Sequence, residues 1–163
     1  MGSGKTTLGS LAASSLNVTF LDTDQMVEEM AGKSINDIFR SDGEQAFREM
    51  EAKIIRSTSE YEKALIATGG GLPVYHNNMQ WLTEHGITMY LQWPDDILIA
   101  SLVHHRAIRP LLSELTPDEA TKKAMDLLAE RKNIYEQSSM TLDMTGEGEV
   151  DWKLLERACK YIW

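Results

Sequence analysis

The stretch that most restricts this chain is Gly4-Lys5-Thr6, which runs straight into a helical period. It closes the pattern G-x-x-x-x-G-K-[ST]. In that loop backbone N–H groups curl around phosphate oxygens, the lysine reaches the β- and γ-phosphates, and the hydroxyl takes Mg²⁺. Such a loop joins a strand to a helix N-terminus, so it commits a chain to an α/β architecture; the plainer reading is a glycine-rich turn that caps a helix. Leu8, Leu11, Ala12 and Leu16 share one face at three-to-four spacing, which predicts a helix over 5–16. Counting back from Gly4, the first glycine of the pattern and the strand that feeds it would precede Met1. The expectation is therefore a sheet short of one strand. It carries with it a poorly stable domain with weak or no activity, because a lost buried strand removes several kcal/mol from a margin of about 5–15 kcal/mol.

Short apolar runs over 18–21, 64–67 and 87–93 predict strands, and 139–144 predicts a weaker one. Helices are expected over 25–30, from 35, over 44–61, 77–84, 94–104, 117–135 and 152–162, with a turn at 146–149 and a mobile loop over 106–113. Ser34 reads as an N-cap, and Thr116-Pro117-Asp118-Glu119 as a proline-led capping box. Phe47, Met50, Ile54 and Ile55 point to the core from one helix, and the Trp and Met residues read as core as well. Strands alternating with helices build a parallel sheet covered on both faces.

The length of 163 residues suits a single domain, 1–163, with one sizeable core. A formal net charge of −9 leaves no basic field for non-specific nucleic-acid binding or for anionic membranes. Anions must then be held by local cations and helix termini. The single cysteine, Cys159, permits no internal disulfide and fits a reducing cytosol. No apolar run reaches transmembrane length.

Four features carry chemistry. Asp22-Thr23-Asp24 ends a strand, where α/β folds place ligands. Either one carboxylate serves Mg²⁺ and the other accepts a proton from a hydroxyl, or both are helix N-caps. Gly69-Gly70-Gly71 follows another strand, for close approach of backbone to a ligand or for a tight turn with positive φ. Arg48 and Arg131 sit on helices, as forks for a carboxylate or as solvated side chains. Arg109-Pro110-Leu111-Leu112 lies in a loop, where an arginine can close over a transferring phosphate. His76, His85, His104 and His105 read as surface residues.

In order and spacing these residues resemble the shikimate kinases, small P-loop kinases of the nucleoside-monophosphate-kinase-like group. The match runs through Leu21-Asp22-Thr23-Asp24, Gly32-Lys33-Ser34-Ile35, Ile38-Phe39, Asp42-Gly43-Glu44, Phe47-Arg48, Gly69 to Gly71, Arg109 to Leu112, and Arg131 with Tyr135. The resemblance implies a three-layer α/β/α P-loop kinase fold on a five-stranded parallel sheet, here without its first, central strand. It implies ATP-dependent phosphorylation of the 3-hydroxyl of shikimate by a cytoplasmic monomer that uses Mg²⁺. It divides the chain into a P-loop and Asp-x-Asp core (1–24), a substrate-binding subdomain (25–62) and a lid (104–115). Gly2, Ser3, Gly4, Lys5, Thr6 and Thr7 would bind ATP phosphates, Thr6 and Asp22 the metal, and Asp24 would be the base. Arg48, Arg131 and Gly69 to Gly71 would hold shikimate, and Lys5 and Arg109 would flank the transferred phosphoryl. An arginine on the helix before the lid usually stacks on adenine in the family; an apolar residue falls there, and Arg106 is the substitute. The proline that usually follows Arg131 is replaced by the run Lys132-Asn133-Ile134-Tyr135. A gluconate-kinase-like enzyme and an inactive fragment are the competing readings.

Overall fold

A computed structural model describes residues 2–144 and 152–160. Its elements run α1 (Lys5–Leu16), β1 (Thr19–Asp22), α2 (Thr23–Ala31), α3 (Ile35–Ser41), α4 (Gly43–Ser57), β2 (Ala64–Ala67), α5 (Asn78–His85), β3 (Met89–Gln92), α6 (Asp95–His104), α7 (Pro117–Tyr135), β4 (Met140–Asp143) and α8 (Trp152–Lys160). Single 3₁₀ turns lie at Thr58–Glu60, Leu72–Val74 and Arg106–Ile108. The turn expected at 146–149 lies outside the described residues.

The local signals explain most boundaries. Gly4 (φ 72°) caps α1 in the left-handed region, and Asn17 (φ 54°) ends that helix. Asp22 closes β1 and caps α2 in one residue, accepting from the amides of Asp24 at 3.0 Å and Gln25 at 3.4 Å. Ser34 caps α3 through the Asp37 amide. Thr116 and Glu119 form a reciprocal capping box at the start of α7. The helix expected over 44–61 stops at Ser57 and tightens into a 3₁₀ turn.

The sheet is divided. β1 and β2 pair in parallel, Thr19 beside Ala64 and Asp22 beside Ala67; β3 and β4 pair in parallel, Met89 beside Met140 and Gln92 beside Asp143. β2 and β3 share no ladder among the described residues. Both line a cavity of about 600 Å³ between the two half-sheets. α1 spans the halves: Leu8 and Ala12 are buried with Leu91, Met144, Leu155 and Cys159, and Leu65 and Met89 pack against the same cluster. A second core joins α6 and α7 through Leu98, Leu102, Ala124 and Leu128, and a third joins α2, α3 and α4 through Val27, Ile38, Phe47 and Ile54.

Three apolar expectations are corrected. Leu11 is 45% exposed, because α1 approaches the sheet along Gly9, Ala12 and Ala13, and Leu11 lies on the far side of Gly9. A Cβ at Gly9 would press into the Phe20 ring, so this face must be small. Met30 and Met125 are exposed, at 48% and 54%, on the outer faces of α2 and α7, whereas Met79 and Met144 are buried as expected. The loop over 106–113 contains tight turns, Arg109 to Arg106 and Leu112 to Arg109, and Leu112 is buried in the α6–α7 core.

Candidate active site

The site begins where two glycines with positive φ, Gly2 (65°) and Gly4 (72°), bracket Ser3. This curl turns backbone amides inward at the head of α1, the arrangement that attracts anions. It is braced from outside. The Trp93 indole donates to the Ser3 carbonyl at 3.2 Å, and the Ser101 hydroxyl donates to the Gly2 carbonyl at 3.3 Å. Lys5 returns over the loop and donates to Ser3 Oγ at 3.1 Å. Thr6 donates its hydroxyl to Asp22 Oδ2 at 2.6 Å, which ties the start of α1 to the end of β1. Thr7 is exposed on the first turn of α1.

Lys5, Asp24 and Arg109 are brought close enough to act on one another electrostatically. Burial lowers the pKa of Lys5, with Arg109 adding to the effect and Asp24 opposing it. Burial raises that of Asp24, and Asp22 adds to it. Burial also lowers that of Arg109, whose Nε is buried without a hydrogen-bond partner among the described residues. The cluster thus gathers two half-buried cations and a half-buried carboxylate whose basicity burial raises.

The glycine run is a wall, not a positive-φ turn, because Gly69 to Gly71 all lie outside the left-handed region. A Cβ at Gly69 would strike the carboxylates of Asp24 and Glu51, and one at Gly71 would overlap the Arg48 guanidinium. The Gly69 amide donates to the buried Thr23 hydroxyl at 3.0 Å, and Tyr135 donates its hydroxyl to the Gly70 carbonyl. Close approach of backbone to functional side chains is the reason for the glycines.

Arg48 is buried, so the solvated reading fails for it, and Arg131 is buried as well. The Arg48 guanidinium donates to Glu44 Oε1 at 2.7 Å and to Glu51 Oε2 at 2.6 Å, and lies 4.5 Å from the Tyr75 ring centre. Burial alone would lower its pKa; Glu51 and Glu44 raise it. Glu51 is 1% exposed and keeps Oε1 without a hydrogen-bond partner among the described residues, with burial pushing its carboxyl up to about 7 against Arg48. Sequence reading passed over Glu51, Tyr75 and the Trp93 brace. Glu44 and Glu51 stand four residues before and three after Arg48, and that spacing alone would have paired them. Arg106 stands apart, on the groove between α6 and α7 with Asp96, Ile99 and Thr121, donating to the Val103 carbonyl at 3.3 Å. The four histidines are exposed as expected.

An anion cradle at a helix head, with a half-buried lysine and a facing carboxylate at the end of a parallel strand, defines a P-loop phosphotransferase. A family profile described as shikimate kinase matches residues 1–159. The chain belongs to the shikimate kinase family. It is 36% identical over 141 residues to a shikimate kinase of Azobacteroides pseudotrichonymphae, covering 86% of this chain and 83% of that one. A solved shikimate kinase of Bacteroides thetaiotaomicron superposes with a TM-score of 0.87 at 31% identity, covering 99% of this chain and 93% of the other. The Acinetobacter baumannii shikimate kinase, solved in complex with shikimate, gives 0.88 at 30% identity, covering 99% and 88%.

Proposed function

We propose that this chain transfers the γ-phosphoryl group of ATP to the 3-hydroxyl of shikimate. Membership of the shikimate kinase family gives the reaction class. One observation carries the substrate side: the glycine wall touches Asp24 at Gly69 and Arg48 at Gly71, so a proton acceptor and a carboxylate-binding cation flank one acceptor pocket.

The roles follow from placement. Gly2 to Thr7 hold the phosphates, with the left-handed glycines aiming amides at them. Arg48 and Arg131 grip the acceptor carboxylate, and Gly69 to Gly71 set its distance. The 3-hydroxyl gives its proton to Asp24, its oxygen bonds to the γ-phosphorus, and the bond from phosphorus to ADP oxygen breaks. Burial has already made Asp24 a stronger base than an ordinary aspartate. Lys5 and Arg109 neutralise the equatorial oxygens of the phosphoryl in flight. Arg106, at the end of α6, meets the nucleotide outside that centre. Residues 25–62 hold the acceptor, and residues 104–115 close over it to exclude water.

The oxygen pair Thr6–Asp22 suits Mg²⁺, which binds through few protein oxygens, phosphates and water. Among the described residues no cluster of three acidic, His or Cys side chains would hold a metal unaided. When bound, Mg²⁺ neutralises the β- and γ-oxygens. The same reading makes the protein a cytoplasmic monomer without nucleic-acid or membrane partners. The net charge of −9 supports that, and no described helix is long and apolar enough to cross a membrane.

The test is release of ADP from MgATP with shikimate, with the product's phosphorus position read by NMR, beside gluconate as a competing acceptor. Asp24→Asn should lower kcat by about 10²-fold or more while nucleotide binding persists. Turnover of gluconate in preference to shikimate, or an unchanged kcat in D24N, defeats the proposal.

A further inference from the structure

Arg48 is gripped at its edges, and its flat face is covered as well. Its guanidinium donates Nε–H and one Nη2–H to Glu44 Oε1, and one Nη1–H to Glu51 Oε2. Among the described residues those bonds engage three of its five donors, which leaves one N–H on each terminal nitrogen for an incoming carboxylate. The face of a guanidinium makes no hydrogen bonds, so an aromatic ring laid over it excludes water without taking a donor. Tyr75 supplies that ring, 4.5 Å from Cζ, and its hydroxyl donates to the same Glu44 oxygen at 3.4 Å. Tyr75 is 37% exposed and Arg48 only 5%, so the ring lies on the solvent side of the arginine.

The backbone that carries Tyr75 is built to hold it there. Tyr75 follows the glycine wall after one 3₁₀ turn, Leu72–Val74, and is itself extended. The next two residues, His76 (φ 54°) and Asn77 (φ 55°), are both left-handed without being glycine. Such a pair is costly and persists only where its surroundings enforce it. Here Arg56 enforces it, donating to the His76 carbonyl at 3.2 Å and to Asn78 Oδ1 at 2.8 Å. Asn78 is wholly buried and donates Nδ2–H to the Leu72 carbonyl at 2.8 Å, which closes the turn on its other side. Arg48 and Arg56 stand about two turns apart on α4. One helix therefore carries both the carboxylate fork and the strut that sets the ring against it.

We infer that Tyr75 is a positioning residue for the acceptor carboxylate: its ring fixes the plane of the Arg48 guanidinium and keeps water from it. A cation shielded from water attracts a carboxylate more strongly than a hydrated one, and a fixed plane aims both remaining donors at once. Tyr75 then acts on acceptor binding through Arg48, not on phosphoryl transfer. The ring is the working part, because the hydroxyl's bond to the exposed Glu44 is long. The inference rests on shikimate being the acceptor.

The experiment compares the whole chain with Tyr75→Leu and Tyr75→Phe, each checked for a parent-like thermal melt; Tyr75→Gln takes the place of Tyr75→Leu where the latter does not fold. Initial rates give KM and kcat, and calorimetry gives Kd for shikimate and for its neutral carboxamide. Y75L should raise both KM and Kd for shikimate roughly tenfold, with kcat and the KM for MgATP within about twofold of the parent. Y75F keeps the ring and should stay within about threefold. The carboxamide offers no anion to Arg48 and should bind parent and Y75L equally. A loss in Y75L below about twofold, an equal loss for shikimate and the carboxamide, or as large a loss in Y75F would each overturn the inference. Failure of the parent itself to bind shikimate strikes the proposed function and this inference together. Binding by the parent that Y75L leaves unchanged strikes this inference alone.

Discussion

Arg48 shows how the site depends on single residues. Its guanidinium is held by Glu44 and by a nearly inaccessible Glu51, and Gly71 leaves the room it occupies. Glu51 is the costly member. Burial raises its carboxyl from the ordinary 4.5 to about 7, and Arg48 opposes the rise. Between those two values the folded protein carries a proton that the unfolded chain has released. Stability from this group is fully present below 4.5 and is lost as pH rises through about 7, on the order of 3 kcal/mol in all. Asp24 is shifted in the same direction. Urea midpoints taken from about pH 5 to pH 7.5 should therefore fall, and Glu51→Gln should flatten that slope. A slope in E51Q as steep as in the parent would show that Glu51 is not its source. Sequence could flag Arg48 as a candidate, but it could not show that the arginine is buried, which the fold decides by laying α4 against the glycine wall.

At the scale of elements, what was legible is what depends on neighbours in sequence. Thr116 and Glu119 announce α7, Ser34 announces α3, and Asp22 is both a strand-end carboxylate and a cap, so its two readings describe one residue. Thr116→Ala removes one side of the capping box, whose partner is the Glu119 amide. The expected cost is about 1 kcal/mol, or roughly 2–4 °C in Tm by calorimetry, with no change in the acceptor KM. What was not legible is how closely elements approach. Leu11 fits the apolar stripe of α1 by spacing, yet the helix sits on the small residues Gly9, Ala12 and Ala13 and turns Leu11 outward. Met30 and Met125 are apolar by composition but lie on outer faces. The glycine wall belongs to the same class: three glycines signal close contact, but only the packed structure names Asp24, Glu51 and Arg48 as the groups in contact.

The whole molecule is two parallel half-sheets with α1 laid across them. Among the described residues β2 and β3 share no ladder, so the sheet is divided between them. Leu8 is 2% exposed at the cluster both halves share, so Leu8→Ala cuts packing on each side. A loss of about 2–5 kcal/mol is expected in urea unfolding, a large share of a margin of about 5–15 kcal/mol. A change below about 1 kcal/mol would mean that the halves stand without their common wall. The brace from Trp93 to the Ser3 carbonyl gives this architecture an optical consequence. An indole hydrogen-bonded to the phosphate cradle makes the emission of the protein itself a gauge of loop occupancy. Titration with MgATP should move that emission without any attached dye, and Trp93→Phe should silence it even though Trp81, stacked on His85 in α5, still glows.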